Sequence, residues 1–428
     1  MTGPGEHRTP ENALAQAQQT QNVFLQFTPA RAAIDAPGRG GELAGVPFAV
    51  KDVFDVRGTR TSAASQIFDR RPSARRDAEV VRRISAAGAV LIGKTTMSEL
   101  AYSGLGVNER FGTPTLTRGG RQYLIGGSSS GSAAAVRAGV VAFALASDTS
   151  GSGRIPAAWA GVPGFRPSLG RYPSAGMTSL APTLDSVAVI AASVAHLETI
   201  DRILARESPA VPEPWTPAFV IPHDEYLARC DRHVLERFHA DLACLRGKGH
   251  RIVQRRIEVL DTVQRLHRQH VPIVESEAFA AFGAYLEQPN LLSSPVRRRL
   301  QRSRTRLQEF GSTALYEAMP SLRHQFGQEL GSAVLLSPAA EIDAPAYVDI
   351  RDSPELHDEM NSRALTLTMM LSYLDSPSVI IPTGDDFAGR PSSLQLSGRA
   401  GQDRRVLSAA QLLAPARARS PRESTSPQ

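Results

Sequence analysis

The chain has 428 residues, 42% of them hydrophobic, and a formal net charge of +6. That composition excludes a disordered chain and suits one large α/β domain or a few smaller ones. No run of eighteen apolar residues occurs to span a membrane, and the first twenty residues lack the charged-then-apolar plan of a signal peptide.

The ends read as loose. Residues 1–12 are polar with Gly and Pro, and the tail over 414–428 has the composition of a disordered end. Residues 44–195 are rich in Gly, Ser and Ala. Val46 to Val50, Ala89 to Ile92 and Val140 to Ala146 are short apolar runs bounded by turn residues, which predicts buried strands. Asp77 to Ala87 and Ser132 to Ala138 read as helices between them. Such alternation predicts an α/β fold, a mixed and mainly parallel sheet between helical layers. Residues 200–330 change character. They are Leu- and Arg-rich, and Val234, Leu235, Phe238, Leu242 and Leu245 have amphipathic helical spacing, which predicts a helical insertion. The densest basic run, Arg297 to Arg306, has no interleaved aromatic residues, so it reads as a solvated helix face and not a nucleic-acid surface. Strands return at Ala333 to Leu336 and Ser378 to Ile381, and Arg404 to Leu413 is a closing helix. Two cysteines, Cys230 and Cys244, cannot build a disulfide framework and suit a reducing cytoplasm.

Chemistry concentrates in the Gly/Ser-rich part. Gly126 to Ser132 reads GGSSSGS, and Ser152 follows Ser128 by 24 residues (152 minus 128) inside DTSGSGRIP. Ser128 to Ser132 opens a helix, whose free N–H groups and dipole favour developing negative charge. Thr149, Ser150, Gly151 and Ser152 have the small side chains needed for a ring of backbone donors. Such an oxyanion hole is worth roughly 3–4 kcal/mol per donor in acyl transfer. A serine nucleophile needs a base. All ten histidines lie outside residues 8–195. Lysine is scarce: only Lys51, Lys94 and Lys248 stand among 48 basic residues. Lysine can lose its proton where arginine cannot, and burial moves its pKa towards neutrality. Lys51 in GVPFAVKD is therefore the candidate base, in a serine–lysine variant of the triad.

Four segments, GVPFAVKD, GKTTMSELAYSGLG, GGSSSGSAAAV and DTSGSGRIPAAWAGVPGFRPS, resemble successive blocks of the amidase signature family, and PSSLQLSGRAGQDRRVLSAAQLL is similar to its C-terminal block. The resemblance runs from about Leu43 to Leu413. It implies a single domain over 1–413 and a Ser–cisSer–Lys triad, with Ser152 as nucleophile, Ser128 as the bridging serine on a cis peptide bond, and Lys51 as base. It also implies Thr149, Ser150, Gly151 and Ser152 as oxyanion donors. The expected activity is hydrolysis of a small linear carboxamide through an acyl-enzyme, with no metal or organic cofactor, no membrane or nucleic-acid partner, and a homodimer left open.

Tyr102, Ser103, Phe111, Trp159 and Met177 lie in loops near these blocks and are candidate pocket residues, with core as the alternative for each. Gly127 permits close approach of backbone to substrate. Asp148 and Arg154 are expected to brace the nucleophile loop as an ion pair, Lys94 to be structural, and Asp52 either to tune Lys51 or to point away. Gly153 stands where a β-branched residue is common in the family and is similar to the allophanate hydrolase branch. Three functional alternatives accompany the amidase reading: a urea-type amide hydrolase, the A-type subunit of a glutamyl-tRNA amidotransferase, and a non-enzymatic scaffold with a Gly/Ser linker. Gly127 to Gly131 also fits G-x-S-x-G, which would make Ser129 a nucleophile but leaves Lys51 and Ser152 unexplained.

Overall fold

The computed structural model describes residues 9–29, 40–207, 216–385 and 389–414. The strands are β1 (Phe24–Phe27), β2 (Pro47–Lys51), β3 (Val90–Thr95), β4 (Thr115–Arg118), β5 (Arg121–Leu124), β6 (Phe143–Asp148) and β7 (Gly164–Arg166). They continue with β8 (Ser186–Ala191), β9 (Phe219–Ile221), β10 (Ile252–Gln254), β11 (Val334–Ser337), β12 (Ser378–Asp385) and β13 (Pro391–Ser397). Eleven of them form one sheet in the order β1-β3-β2-β6-β8-β7-β12-β13-β11-β9-β10, and β4 and β5 form a separate hairpin.

The sheet is mixed. Parallel ladders join β3, β2 and β6 on one flank and β11, β9 and β10 on the other. Antiparallel ladders run through the middle, from β6 to β8, β7, β12, β13 and β11. The connections explain the division. Helices Glu79–Ala86 and Ser130–Arg137 carry the chain across the first flank, as parallel pairing requires.

Strands β2, β3, β6 and β8 are buried along their whole length. Their side chains still alternate by size. Phe48, Val50, Phe143, Leu145, Val187 and Val189 belong to one apolar cluster, and Ala49, Ala144, Ala146, Ala188 and Ile190 to another. The small-residue face lets two alanine-rich helices, Ser130–Arg137 and Arg154–Ala160, lie close to the sheet. Those helices begin at the two serine motifs.

The sequence reading is corrected at the N-terminus, where residues 10–12 are not loose. They open a helix, Pro10–Gln19, in which Thr9 accepts the Asn12 N–H (3.4 Å), Pro10 sits in the first turn and Glu11 faces the positive end. The segment over 200–330 contains the expected helices, among them Arg232–Gly247, Ser294–Glu309 and Thr313–Leu330. It also contributes β9 and β10 to the sheet edge. The predicted tail beyond Ala414 lies outside the described residues. Among the described residues no helix is long and apolar enough to cross a membrane.

The Phe48–Phe143 pair, stacked with centroids 5.4 Å apart and fully buried, ties β2 to β6 beneath the lysine. Phe143→Ala is expected to cost about 3–5 kcal/mol, measured as a lowered denaturant midpoint at unchanged slope.

Candidate active site

Lys51 ends β2 and is completely buried. Its Nζ donates to Ser128 Oγ at 2.6 Å and to Ser147 Oγ at 2.8 Å. Loss of water pushes its pKa down from 10.5 to about 7, against the pull of the Asp148 and Asp185 carboxylates, which favour the charged form. The two hydroxyls come from different elements. Ser128 precedes the helix Ser130–Arg137, and the Gly127–Ser128 peptide bond is cis. Ser147 lies near the carboxyl end of β6, beside β2.

Ser128 is held from both sides by backbone contacts. Its carbonyl accepts from Ser98 N–H (3.0 Å), and Gly127 N–H donates to Gly104 O (2.7 Å). A Cβ at position 127 would lie 2.5 Å from Gly106 N, so this approach requires glycine. Ser152 is buried in the turn after β6, and its carbonyl accepts from Ser129 N–H at 3.2 Å. The two serine motifs are thus joined through main chain. Among the described residues no hydrogen bond links the Ser128 and Ser152 hydroxyls.

Asp148 organises the turn that carries Ser152. Its carboxylate accepts from the N–H groups of Gly151 (2.7 Å), Gly153 (3.1 Å) and Arg154 (3.1 Å), and pairs with Arg154 through Nε and Nη2, both at 2.9 Å. Burial alone would raise its pKa, but Arg154 and Arg166 outweigh it and hold the carboxyl at about 2. The expected brace between Asp148 and Arg154 is therefore present as a bidentate, fully buried pair. The expected donor set needs one correction. Gly151 N–H is committed to Asp148, because the carboxylate caps this turn. The N–H groups of Thr149, Ser150 and Ser152 have no acceptor among the described residues, although all three residues are buried. Unpaired buried donors are rare.

A late helix, Pro354–Tyr373, closes the turn from outside. Thr368 Oγ1 donates to Ser150 O (2.7 Å), and Arg154 Nη2 donates to Thr368 O (3.1 Å) and Ser372 Oγ (2.6 Å). Gly151 has φ +135° and leaves only 2.2 Å between an added Cβ and Thr368 Oγ1. Gly153 is also packed without room, since a Cβ there would come within 2.8 Å of the Ala188 Cβ.

The other candidates separate. Ser103 is not free to face a ligand: its hydroxyl donates to Asn361 Oδ1 at 3.0 Å and accepts from Leu105 N–H. Tyr102 is buried with its hydroxyl on Ser303. Trp159 is buried, with its ring against Gly126. Phe111 and Met177 are half-buried at the edge of the core. Asp52 points away from Lys51 and pairs with Lys94 at 2.6 Å, both buried. The Ser129 hydroxyl donates to Ser147 O at 3.4 Å. Ser147, Asp185 and Thr368 were not singled out from sequence. Of these only Ser147 carried a usable signal, a hydroxyl at the carboxyl end of a predicted strand, where parallel sheets place their sites. Among the described residues no group of three or more His, Cys, Asp or Glu is arranged to hold a metal ion.

A buried lysine amine on a serine hydroxyl and a turn with unpaired N–H groups are the polar features of this site. The family model described as Amidase matches residues 11–407, and the chain belongs to that family. Mandelamide hydrolase of Pseudomonas putida is 30% identical over 419 residues, covering 89% of this chain and 80% of that protein. The 1-carboxybiuret hydrolase subunit AtzE of Pseudomonas sp. is 40% identical over 219 residues, 48% of this chain and 47% of AtzE, so the match spans about half of that relative. A crystal structure of an amidase, 29% identical, superposes with a TM-score of 0.81 over 94% of this chain and 95% of the other.

Gly151→Ala is expected to cost about 1–3 kcal/mol of stability and to lower turnover, because both φ and the Thr368 contact oppose a side chain. Thermal unfolding and a rate measurement on the same sample check this. Wild-type values in both would contradict the described turn.

Proposed function

We propose that the protein hydrolyses a small linear carboxamide, or a related C–N bond, through an acyl-enzyme on Ser152. The observation that carries this reading is the 2.6 Å contact between a fully buried Lys51 and Ser128, with the amine brought to about 7. A base with that pKa is half neutral at physiological pH and can both take and return a proton.

In the acylation half, neutral Lys51 takes the Ser128 proton as Ser128 takes the Ser152 proton, and Ser152 Oγ bonds to the amide carbon. The carbonyl oxygen becomes an oxyanion, received by the N–H groups of Thr149, Ser150 and Ser152. The relay then runs backwards. Lys51 returns its proton through Ser128 to the leaving nitrogen, the C–N bond breaks and the amine departs. Water enters, gives its proton to the same relay and attacks the acyl carbon. Ser152 Oγ leaves with the returned proton.

The eleven-stranded sheet joins β1 near the start to β13 near the end, which supports one domain through residue 413. Cys230 is buried and Cys244 exposed, both unpaired, which supports a reducing cytoplasm. The relatives suggest the amides to try: mandelamide, and urea-type compounds after the 1-carboxybiuret hydrolase subunit.

Ser152→Ala is expected to abolish ammonia release from whichever amide of that panel is turned over, and to abolish labelling by a fluorophosphonate. Retained turnover in a pure sample would overturn the assignment. Activity should fall as pH drops through about 7, where Lys51 becomes charged. Lys51→Met should remove activity and raise stability at neutral pH. The sign follows from linkage. A lysine with a folded pKa near 7 and an unfolded one of 10.5 destabilises the fold below pH 7, and that penalty fades as pH rises to 10.5. A thermal melt of Lys51→Met at pH 6 and pH 10 checks this: its advantage over wild type should shrink at the higher pH.

A further inference from the structure

Lys51 Nζ contacts two hydroxyls, and the relay above uses only one. Ser128 Oγ lies at 2.6 Å and Ser147 Oγ at 2.8 Å. A neutral primary amine has two hydrogens and one lone pair. It can receive the Ser128 proton only when the lone pair faces Ser128 Oγ. Both N–H bonds must then point elsewhere. Rotation about Cε–Nζ offers three staggered settings, and nothing in the amine itself selects the productive one. Ser147 Oγ stands where it can accept one of the two hydrogens.

Ser147 is well placed to do this rigidly. It is 4% exposed, and its main chain pairs with Val187 in the middle of the sheet. Its carbonyl accepts from Ser129 Oγ. We propose that Ser147 is a positioning residue of the relay: its hydroxyl accepts an N–H from neutral Lys51 and so turns the lone pair onto Ser128. Ser147 itself neither gains nor loses a proton. When the Ser128 proton forms the third N–H bond of Lys51, the same hydroxyl remains an acceptor for the ammonium. The inference rests on the Ser152–Ser128–Lys51 reading.

The charges that act on the amine come from two other places. Asp148 at the end of β6 is tied to Arg154, and Asp185, ahead of β8, accepts from Thr149 and Ser179. Removing Ser147 changes neither, so the pH profile isolates the lost hydroxyl.

The test is the pH dependence of fluorophosphonate labelling of Ser152 in the full chain, which needs no knowledge of the natural amide. Ser147→Ala should lower the plateau labelling rate constant by about 10–100-fold, with the half-saturating probe concentration unchanged. Its acid limb should move to lower pH, because the ammonium has lost an acceptor. Ser147→Thr should recover most of the plateau, and the isosteric Ser147→Val should not. This pair decides the matter if the alanine variant fails to fold. An unchanged plateau in Ser147→Val or Ser147→Ala would overturn the proposal. So would an acid limb displaced to higher pH, which means that water has reached Lys51 and the loss is structural. If Ser152→Ala loses labelling while Ser147→Ala labels normally, the relay stands and only the role of Ser147 falls. If Ser152→Ala still labels, the relay falls as well.

Discussion

A primary amine kept out of water, with hydroxyls and no carboxylate in contact, is the constraint on which the other features of this site depend. Burial lowers the affinity of Lys51 for its proton by several powers of ten. A direct carboxylate partner works against that loss, as Asp52 does for Lys94, although burial still leaves the Lys94 pKa lowered. Adjacent residues at the end of one strand thus have opposite tasks. Lys51 stays free of ion pairs, and Asp52 is spent on a different lysine. The alternation of large and small side chains on β2 and β6 contributes to this arrangement, because the alanine face lets the helices that follow Ser128 and Ser152 lie close to the sheet.

Two carboxylates do lie near enough for their fields to reach Lys51. The structure occupies both. Asp148 is engaged by the Arg154 guanidinium and three backbone N–H groups. Asp185 accepts from Thr149, Ser179, Leu180 and Ala181. Each of these donors draws negative charge away from the amine. Arg154 therefore acts twice, by fixing the turn that carries Ser152 and by screening Lys51 from Asp148. The stability cost of a neutralised buried lysine is carried by the surrounding sheet, a common arrangement at functional sites.

Much of this was legible in the sequence because it is local. Lys51, Ser128 and Ser152 sit in segments whose order and spacing are specific, and the apolar runs at 46–50 and 89–92 fall within a few residues of β2 and β3. What escaped is set by contacts between distant segments. The antiparallel middle of the sheet depends on β7 and β12 meeting across more than 200 residues. Ser103 looked available in a loop, but Asn361 takes its hydroxyl. The family resemblance implied Gly151 as one of the oxyanion donors, and only the position of the Asp148 carboxylate shows that its N–H is used. The helix at 10–19 was hidden by Pro and Glu, residues that discourage a helix interior or look solvated, yet suit a first turn.

The contacts of Thr368 and Ser372 with the turn that carries Ser152 have a consequence for synthesis. These acceptors and donors lie 214 to 218 residues downstream of their partners Arg154 and Ser150. A nascent chain that has emerged only through β8 already holds the amine, both serines and Asp148, but lacks the strap that seats the turn and half of the sheet beneath it. The contacts that seat this turn therefore form only late in translation, after both of its partners downstream have emerged.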